Sequence, residues 1–410
     1  MMPSSKPTTG AKGGKSISAK GISTKAEKNP SKAEKSTVFL SSNSTISKKE
    51  GHGKSPPSIY RNLGLRDAIE LLIEESEREL IPKFLRLGFH DCVGGCDGCV
   101  DLNNPDNNGL LEPIEEIADI VEAYKEWYSR ADVWAMATLV SADKSLVVLD
   151  DDGNLVESRP EGITFPMTHI GRKDCEGADD KGIGGPEVDM PSNDLSTHEL
   201  LEFFSDEFSF DADETVAIMG AHSVAVAHRE NVGFGNLGVE QGWVCLADEY
   251  ILDNRFYDML VGDEGDEVNT APNWELEFVN NTEIEGDIPN RYQWANEDKC
   301  EEERPIMTNA DMALVRDFSD YISTDENGTT GKVNCTFKDE NNNEPTRRGL
   351  RFEAPAELAG EVACPVASET IDIVMEYKLN NTLFLYDFQS VLGKMVNNGY
   401  ADGDLEPVDL

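Results

Sequence analysis

Arg86 and His90 stand four residues apart at the end of an apolar helical run, and this spacing constrains the 410-residue chain more than its composition does. Leu71, Leu72, Ile73, Leu80, Ile81, Phe84 and Leu85 recur at helical intervals as far as Phe89. The chain from about 65 to 89 is therefore expected to be helical. Residues i and i+4 share one helix face, which sets a guanidinium beside an imidazole. Further helical patterns start at Pro113, with Ile117, Ile120 and Val121 on one side, and cover 197–208, 213–228, 310–322 and 383–396. Strand-like runs such as 146–149 are short and few. The fold class is read as all-α with long loops.

Residues 1–57 are rich in Ser, Lys, Gly and Thr and hold almost nothing apolar. Such a segment cannot offset its ordering entropy by burial. A disordered tail ending near Pro56-Pro57 is expected, followed by one domain over 58–400. A transit peptide fits less well, because the tail has no Arg and little amphipathic pattern. Within the domain, 323–368 is polar and Asn-rich, contains Cys335 and Cys364, and reads as an insertion. The tail's eleven lysines face three acids, a local +8 that leaves −51 on the rest of a chain whose net charge is −43. That field repels nucleic acid and anionic membranes and would attract a cationic donor or partner. A plain solvated surface is the simpler account of it. No run of about 18 apolar residues is present, so no membrane-spanning helix is expected. Eight Cys and the sequons at Asn43, Asn280, Asn327, Asn334 and Asn380 suit a secreted or endomembrane compartment. Residues 1–36 lack the apolar core of a secretory leader, so organellar and cytoplasmic placement stay open.

The chemistry of the Arg86–His90 pair suits peroxide. A neutral imidazole can take a proton from one peroxide oxygen and deliver it to the other. A fixed guanidinium stabilises charge on the departing oxygen. Taken alone, Arg-x-x-x-His is also an ordinary surface arginine with a helix-terminal histidine favoured by the dipole. The surrounding residues remove that ambiguity. Leu85-Arg86-Leu87-Gly88-Phe89-His90-Asp91-Cys92 is followed by Asn104-Pro105-Asp106-Asn107-Asn108-Gly109-Leu110. Together these resemble the distal half of the plant-type haem peroxidases, nearest the branch holding cytochrome c peroxidase and ascorbate peroxidase. The resemblance implies Arg86, Phe89 and His90 as catalytic residues, with Phe89 packed over the porphyrin. It implies that Asn107 accepts a hydrogen bond from the distal His and fixes its tautomer; a turn residue in an Asn-rich loop is the alternative.

A second region extends the resemblance. Met219-Gly220-Ala221-His222-Ser223, running on to His228, is similar to the family's proximal helix and implies His222 as the haem iron ligand. Asp211 or Asp213 could cap that helix. Small Gly220 and Ala221 would let it lie close to a flat cofactor. His228 falls off the His222 face and is given a structural role. Asp311, in Pro305–Asp311, matches the family's carboxylate acceptor for the ligand's second nitrogen, although Thr308-x-x-Asp311 is also a capping box. Trp243 falls near the proximal aromatic position, where cytochrome c peroxidase stores a radical; a plain core Trp is the equal alternative. Gly171-Arg172-Lys173-Asp174 resembles a structural segment of the family, and Asp387-Phe388 its last helix. Ascorbate peroxidases carry Arg nine residues after the proximal His, and this chain has Asn231 there.

The resemblance, over roughly 65–400 apart from the insertion, implies a two-lobed fold with haem b between distal and proximal helices. It implies a peroxidase that takes hydrogen peroxide and a small-molecule or protein electron donor. No C-x-x-C-H is present, so haem would be held noncovalently. Calcium is a second candidate cofactor. Asp91, the Gly95 carbonyl and Asp97 match the distal calcium pattern of secreted members, but Cys99 stands where a Ser oxygen is expected, and a thiol is a poor ligand for that ion. Ser223, Asp248 and Asp253 are the proximal candidates. Two other classes compete. Cys96-Asp97-Gly98-Cys99 could be a dithiol redox pair or part of a zinc site, although local disulfides are preferred. An inactive, calcium-binding or adhesive protein on the same fold is the third reading.

Overall fold

The computed structural model describes residues 60, 63–146, 148–149, 155–156, 160–238, 241–245, 250–261, 274–284, 288–296, 300, 304–335 and 364–408. The proposed tail, Asn43, Asp248 and most of 323–368 lie outside the described residues.

The first apolar run forms two helices rather than one. Helix α1 (Leu65–Glu75) and α2 (Leu80–Cys92) are separated by Glu77 and Arg78, both in the left-handed region at φ 53° and 76°. Arg78 fixes this break by donating to the Lys144 and Tyr250 carbonyls. Helix α3 (Leu111–Tyr124) begins where expected. Helix α4 (Arg130–Lys144) has no counterpart in the sequence reading. It is buried on almost every face, so it carries no apolar stripe from which a period can be read. Its cap is Ser129, which accepts from the Asp132 N–H. Helices α2 and α4 press together at Gly88, where a Cβ would overlap Thr138. That contact fixes the back of α2.

Helix α5 (Thr197–Phe208) matches its expected span and carries a Ser196–Glu199 capping box. Helix α6 (Ala212–Met219) is capped by Asp211, not Asp213. The helix expected over 213–228 stops there. The chain tightens into a 3₁₀ turn over Gly220–Val224 and then enters a short strand. Gly220 explains the bend: a Cβ there would overlap Phe384 and lie 2.6 Å from Tyr257 Oη. Gly220 therefore faces the core and not the cofactor side as expected, while Ala221 lines the cavity described below. Helices α7 (Arg229–Val232) and α8 (Arg255–Val261) follow. Helix α9 (Asn309–Met312) is one turn, not the expected 310–322. The backbone at 315–317 pairs instead with 365–367, and the apolar residues 312–315 and Phe318 are buried on all sides. Helix α10 (Ile371–Leu379), unforeseen, leads into α11 (Asn381–Met395), close to the expected 383–396.

The fold is mostly helical, but not purely so. Two-residue ladders join β1 (Val148–Leu149) to β2 (Leu155–Val156), β3 (His169–Ile170) to β11 (Glu406–Pro407), β4 (Val226–Ala227) to β5 (Gln241–Gly242), and β9 (Ile322–Ser323) to β10 (Lys332–Val333). A three-stranded antiparallel sheet of β6 (Trp274–Val279), β7 (Arg291–Asn296) and β8 (Ile306–Met307) went unread. Its buried Trp274, Leu276 and Trp294 stay on the core side. Arg172 ties the C-terminal segment down, donating to Asp132 Oδ1, the Val396 carbonyl and Asn397 Oδ1.

All eight cysteines pair: Cys92–Cys96, Cys99–Cys175, Cys245–Cys300 and Cys335–Cys364. Cys96 and Cys99 bond to different partners, so the C-x-x-C is neither a dithiol couple nor a zinc ligand pair. The sequons at Asn280, Asn327, Asn334 and Asn380 are exposed. Among the described residues, no helix is long and apolar enough to cross a membrane.

Candidate active site

Helix α2, the segment 105–113, the 3₁₀ turn over Gly220–Val224 and the start of α7 line a cavity of about 340 Å³. Arg86, Phe89 and His90 line it together with Ala221, His222 and Trp243. The i, i+4 spacing thus delivers Arg86 and His90 to one wall. Phe89 packs behind them on Phe204 and Phe208, with ring centroids 6.2 and 6.1 Å apart.

The His90 ring is held by one bond. Its Nδ1 lies 2.7 Å from Asn107 Oδ1. Asn107 is buried, and its Nδ2 donates to the Asp101 carbonyl at 2.9 Å. That second bond fixes which end of the amide faces His90. Nδ1 must carry the proton, and Nε2 keeps its lone pair. Burial, then Arg86, push the imidazole down to about 3, against a smaller upward pull from Asn107. His90 is therefore neutral at physiological pH. The Arg86 terminal nitrogens donate to the Asn108 and Asp106 carbonyls at 2.8 and 2.7 Å, so the guanidinium plane is fixed. Burial lowers it to about 10, which leaves it charged near neutrality.

His222 is arranged on the same plan with a different acceptor. Its Nδ1 lies 2.6 Å from Asp311 Oδ1. Asp311 is fully buried, and its Oδ2 accepts from the Thr308 N–H and O–H and from Trp243 Nε1, each at 2.7 Å. Burial would raise this carboxyl, but His222 and Thr308 more than offset it and hold it below the usual carboxylate range. The capping box and the histidine acceptor are thus one residue in both roles. Trp243 lies over His222, with ring centroids 4.8 Å apart and planes tilted by 32°. Phe256 meets the histidine edge-on at 5.9 Å.

The donor set suits a haem. A histidine anchored through Nδ1 to a buried carboxylate leaves Nε2 for an iron. The cavity falls within the volume range of small-molecule sites, roughly 300–1,000 Å³, and its walls are largely apolar. His228 also lines the cavity, as do Asn231 and Arg291. Arg291 left no signal in the sequence, because the sheet that carries it was not read.

The calcium candidates come together only in part. Asp91 Oδ1 accepts from the Gly98 and Cys99 N–H groups at 2.6 and 3.1 Å. Burial, then Asp97, raise the Asp91 carboxyl well above the usual range. Asp97 lies close to Cys99 and Cys175, but those sulfurs are joined in a disulfide and offer no thiolate. Gly95, with φ 118°, sits against Gly399. Asp253 is engaged with Arg255, whereas the buried Ser223 hydroxyl has no partner among the described residues.

Comparison with known proteins finds peroxidases. A family model described as "Peroxidase" matches residues 65–324, more than half of the chain. The chain is 23% identical to "Putative cytochrome c peroxidase, mitochondrial" of Yarrowia lipolytica over 305 residues, 69% of this chain and 97% of that protein. It is 26% identical to "Putative heme-binding peroxidase" of the same organism over 222 residues, 50% of this chain and 63% of that protein. It is 30% identical to "Peroxidase 29" of Arabidopsis thaliana over 156 residues, 36% of this chain and 42% of that protein.

Proposed function

This chain belongs to the peroxidase family, within the plant-type haem peroxidase superfamily, and from that premise we propose that it reduces hydrogen peroxide to water while oxidising a donor in one-electron steps, with haem b between its distal and proximal helices. The observation that carries this reading is the pair of histidines on one cavity, each tied through Nδ1 but to acceptors of different charge. The neutral Asn107 amide leaves His90 a weakly basic, uncharged ring. The Asp311 carboxylate makes His222 an electron-rich ligand.

His222 would hold the iron through Nε2, with Asp311 fixing its tautomer and ring plane. Haem so bound supplies a centre that accepts oxidising equivalents from peroxide in pairs and passes them on singly. His90 Nε2 takes the proton from one peroxide oxygen and returns it to the other, which departs as water. Arg86, with its plane set by two carbonyls, stabilises charge on that departing oxygen. Phe89, backed by Phe204 and Phe208, keeps water off that wall. Trp243 holds the Asp311 carboxylate in place and packs on the ligand. The domain is proposed to run over 58–400 with an insertion at 323–368; the family match starts at 65 and ends at 324, beside the start of that segment. The donor is a small molecule or a protein.

Protein reconstituted with haem is expected to show a Soret band that responds to hydrogen peroxide. His222→Ala is expected to lose stable haem binding. An unaltered Soret band in that variant contradicts the ligand assignment, and wild-type protein without affinity for haem contradicts the whole reading.

A further inference from the structure

Arg291 is a mostly buried cation whose hydrogen-bonding capacity is largely unused. Its side chain is 16% exposed and lines the cavity. Among the described residues, the one polar contact of its guanidinium is Asp106 Oδ1, at 3.4 Å, and its Nε has no acceptor. Asp106 is 42% exposed, and a long contact to an exposed carboxylate stabilises little. Taking a guanidinium out of water costs more than such a contact returns. A core arginine placed for stability is normally better satisfied, as Arg172 is, with four partners through its three nitrogens.

Arg291 is nevertheless held firmly in place. Asn281, itself buried, donates to the Gly233 and Pro289 carbonyls and accepts from Arg229 Nε. This ties the start of β7 to α7. The guanidinium lies over the Phe234 ring, 5.4 Å from its centroid, which sets its orientation. Asn231 lines the same cavity, and its side-chain amide makes no hydrogen bond among the described residues. A fixed guanidinium with one long contact and an amide with no hydrogen bond thus line one cavity.

We propose that Arg291, assisted by Asn231, binds a carboxylate at the mouth of the cavity. The planar fork of a guanidinium matches a carboxylate in two parallel bonds. Two sources supply that chemistry: a propionate of the bound haem, or a carboxylate on the electron donor. The inference rests on the proposed haem site.

The test uses the haem-loaded protein as wild type, Arg291→Gln and Arg291→Lys. One arm measures haem transfer to an excess of apomyoglobin, with haem and with its dimethyl ester. The other measures KM for 4-hydroxyphenylacetate and for its methyl ester, which differ only in the carboxylate. Losing a hydrogen bond to a charged group costs enough for a roughly 10–100-fold effect. If the carboxylate is a propionate, Arg291→Gln releases haem faster by that factor while the dimethyl ester is released at the wild-type rate. If it belongs to the donor, KM rises for the acid and not for its ester. Either pattern supports the proposal, and Arg291→Lys should retain part of the preference. Equal effects on acid and ester in both arms, or no effect in either, overturn it. A wild-type protein that takes up no haem overturns the functional reading and this inference with it.

Discussion

Replacing Asn107 by Asp puts a carboxylate where His90 Nδ1 now meets an amide oxygen at 2.7 Å. In the native arrangement burial and Arg86 push His90 down to about 3. Two unit charges about 4 Å apart, at an effective dielectric of about 20, attract by about 4 kcal/mol. At about 1.36 kcal/mol per pKa unit, the new carboxylate should lift His90 by on the order of 3 units. His90 acts as a base only while neutral, so the peroxide reaction slows as pH falls through its pKa. The native rate should stay flat from neutrality down to the acid edge of folding. The Asn107→Asp rate should begin to fall near pH 6, by the same shift. Stopped-flow mixing of haem-loaded protein with hydrogen peroxide, jumped from neutral stocks to each pH and read at the Soret band, measures both profiles. The substitution also turns the Asp101 carbonyl against a carboxylate, and chemical denaturation separates that loss of stability from the kinetic effect. Identical acid limbs in the two proteins would refute the claim that burial and Arg86, unopposed by a charged acceptor at position 107, keep His90 a low-pKa base.

Asp311→Asn should leave haem bound, because His222 Nε2 is untouched, but raise the iron reduction potential by weakening the ligand. Spectroelectrochemistry reads this, and an unchanged potential would reduce Asp311 to its part in the capping box of α9. Gly88→Ala forces a Cβ onto Thr138 and should cost about 1–3 kcal/mol of stability, the usual range for overpacking. Thermal unfolding measures that loss, and pairing with Thr138→Ala should recover part of it. Full additivity in the double variant would place the cost elsewhere.

The site was more legible in the sequence than the fold that carries it. Arg86 and His90 share a helix face by their spacing alone, whereas Asn107, His222 and Asp311 were legible only because the motifs around them resemble those of the plant-type haem peroxidases. The proximal helix was read too long because Ala221 to His228 continue a helical pattern in sequence. The Gly220 approach to Phe384 and Tyr257 ends that helix, and only tertiary packing reveals it. Helix α4 was invisible because burial on every face erases its period. The sheet over 274–307 was missed for a related reason: strands of two to six residues interrupted by polar loops give too few alternations to count. That omission hid Arg291. Trp243 could not be placed by counting residues along a loop of unfamiliar length, whereas its bond to Asp311 places it directly. The disulfide pairs were undetermined for the same reason, since Cys99 and Cys175 meet only through the fold.

The most direct test of the account is the bimolecular rate of the haem-loaded protein with hydrogen peroxide, compared between wild type and His90→Leu. Leucine fills the space but can carry no proton, and Arg86 keeps its carbonyl partners. A positioned acid–base group is worth about 10²–10⁴-fold, and the rate of the variant should fall by that factor while haem stays bound. Equal rates in the two proteins would mean that the proton moves elsewhere, and the assignment of His90 and of the wall it shares with Arg86 would be wrong.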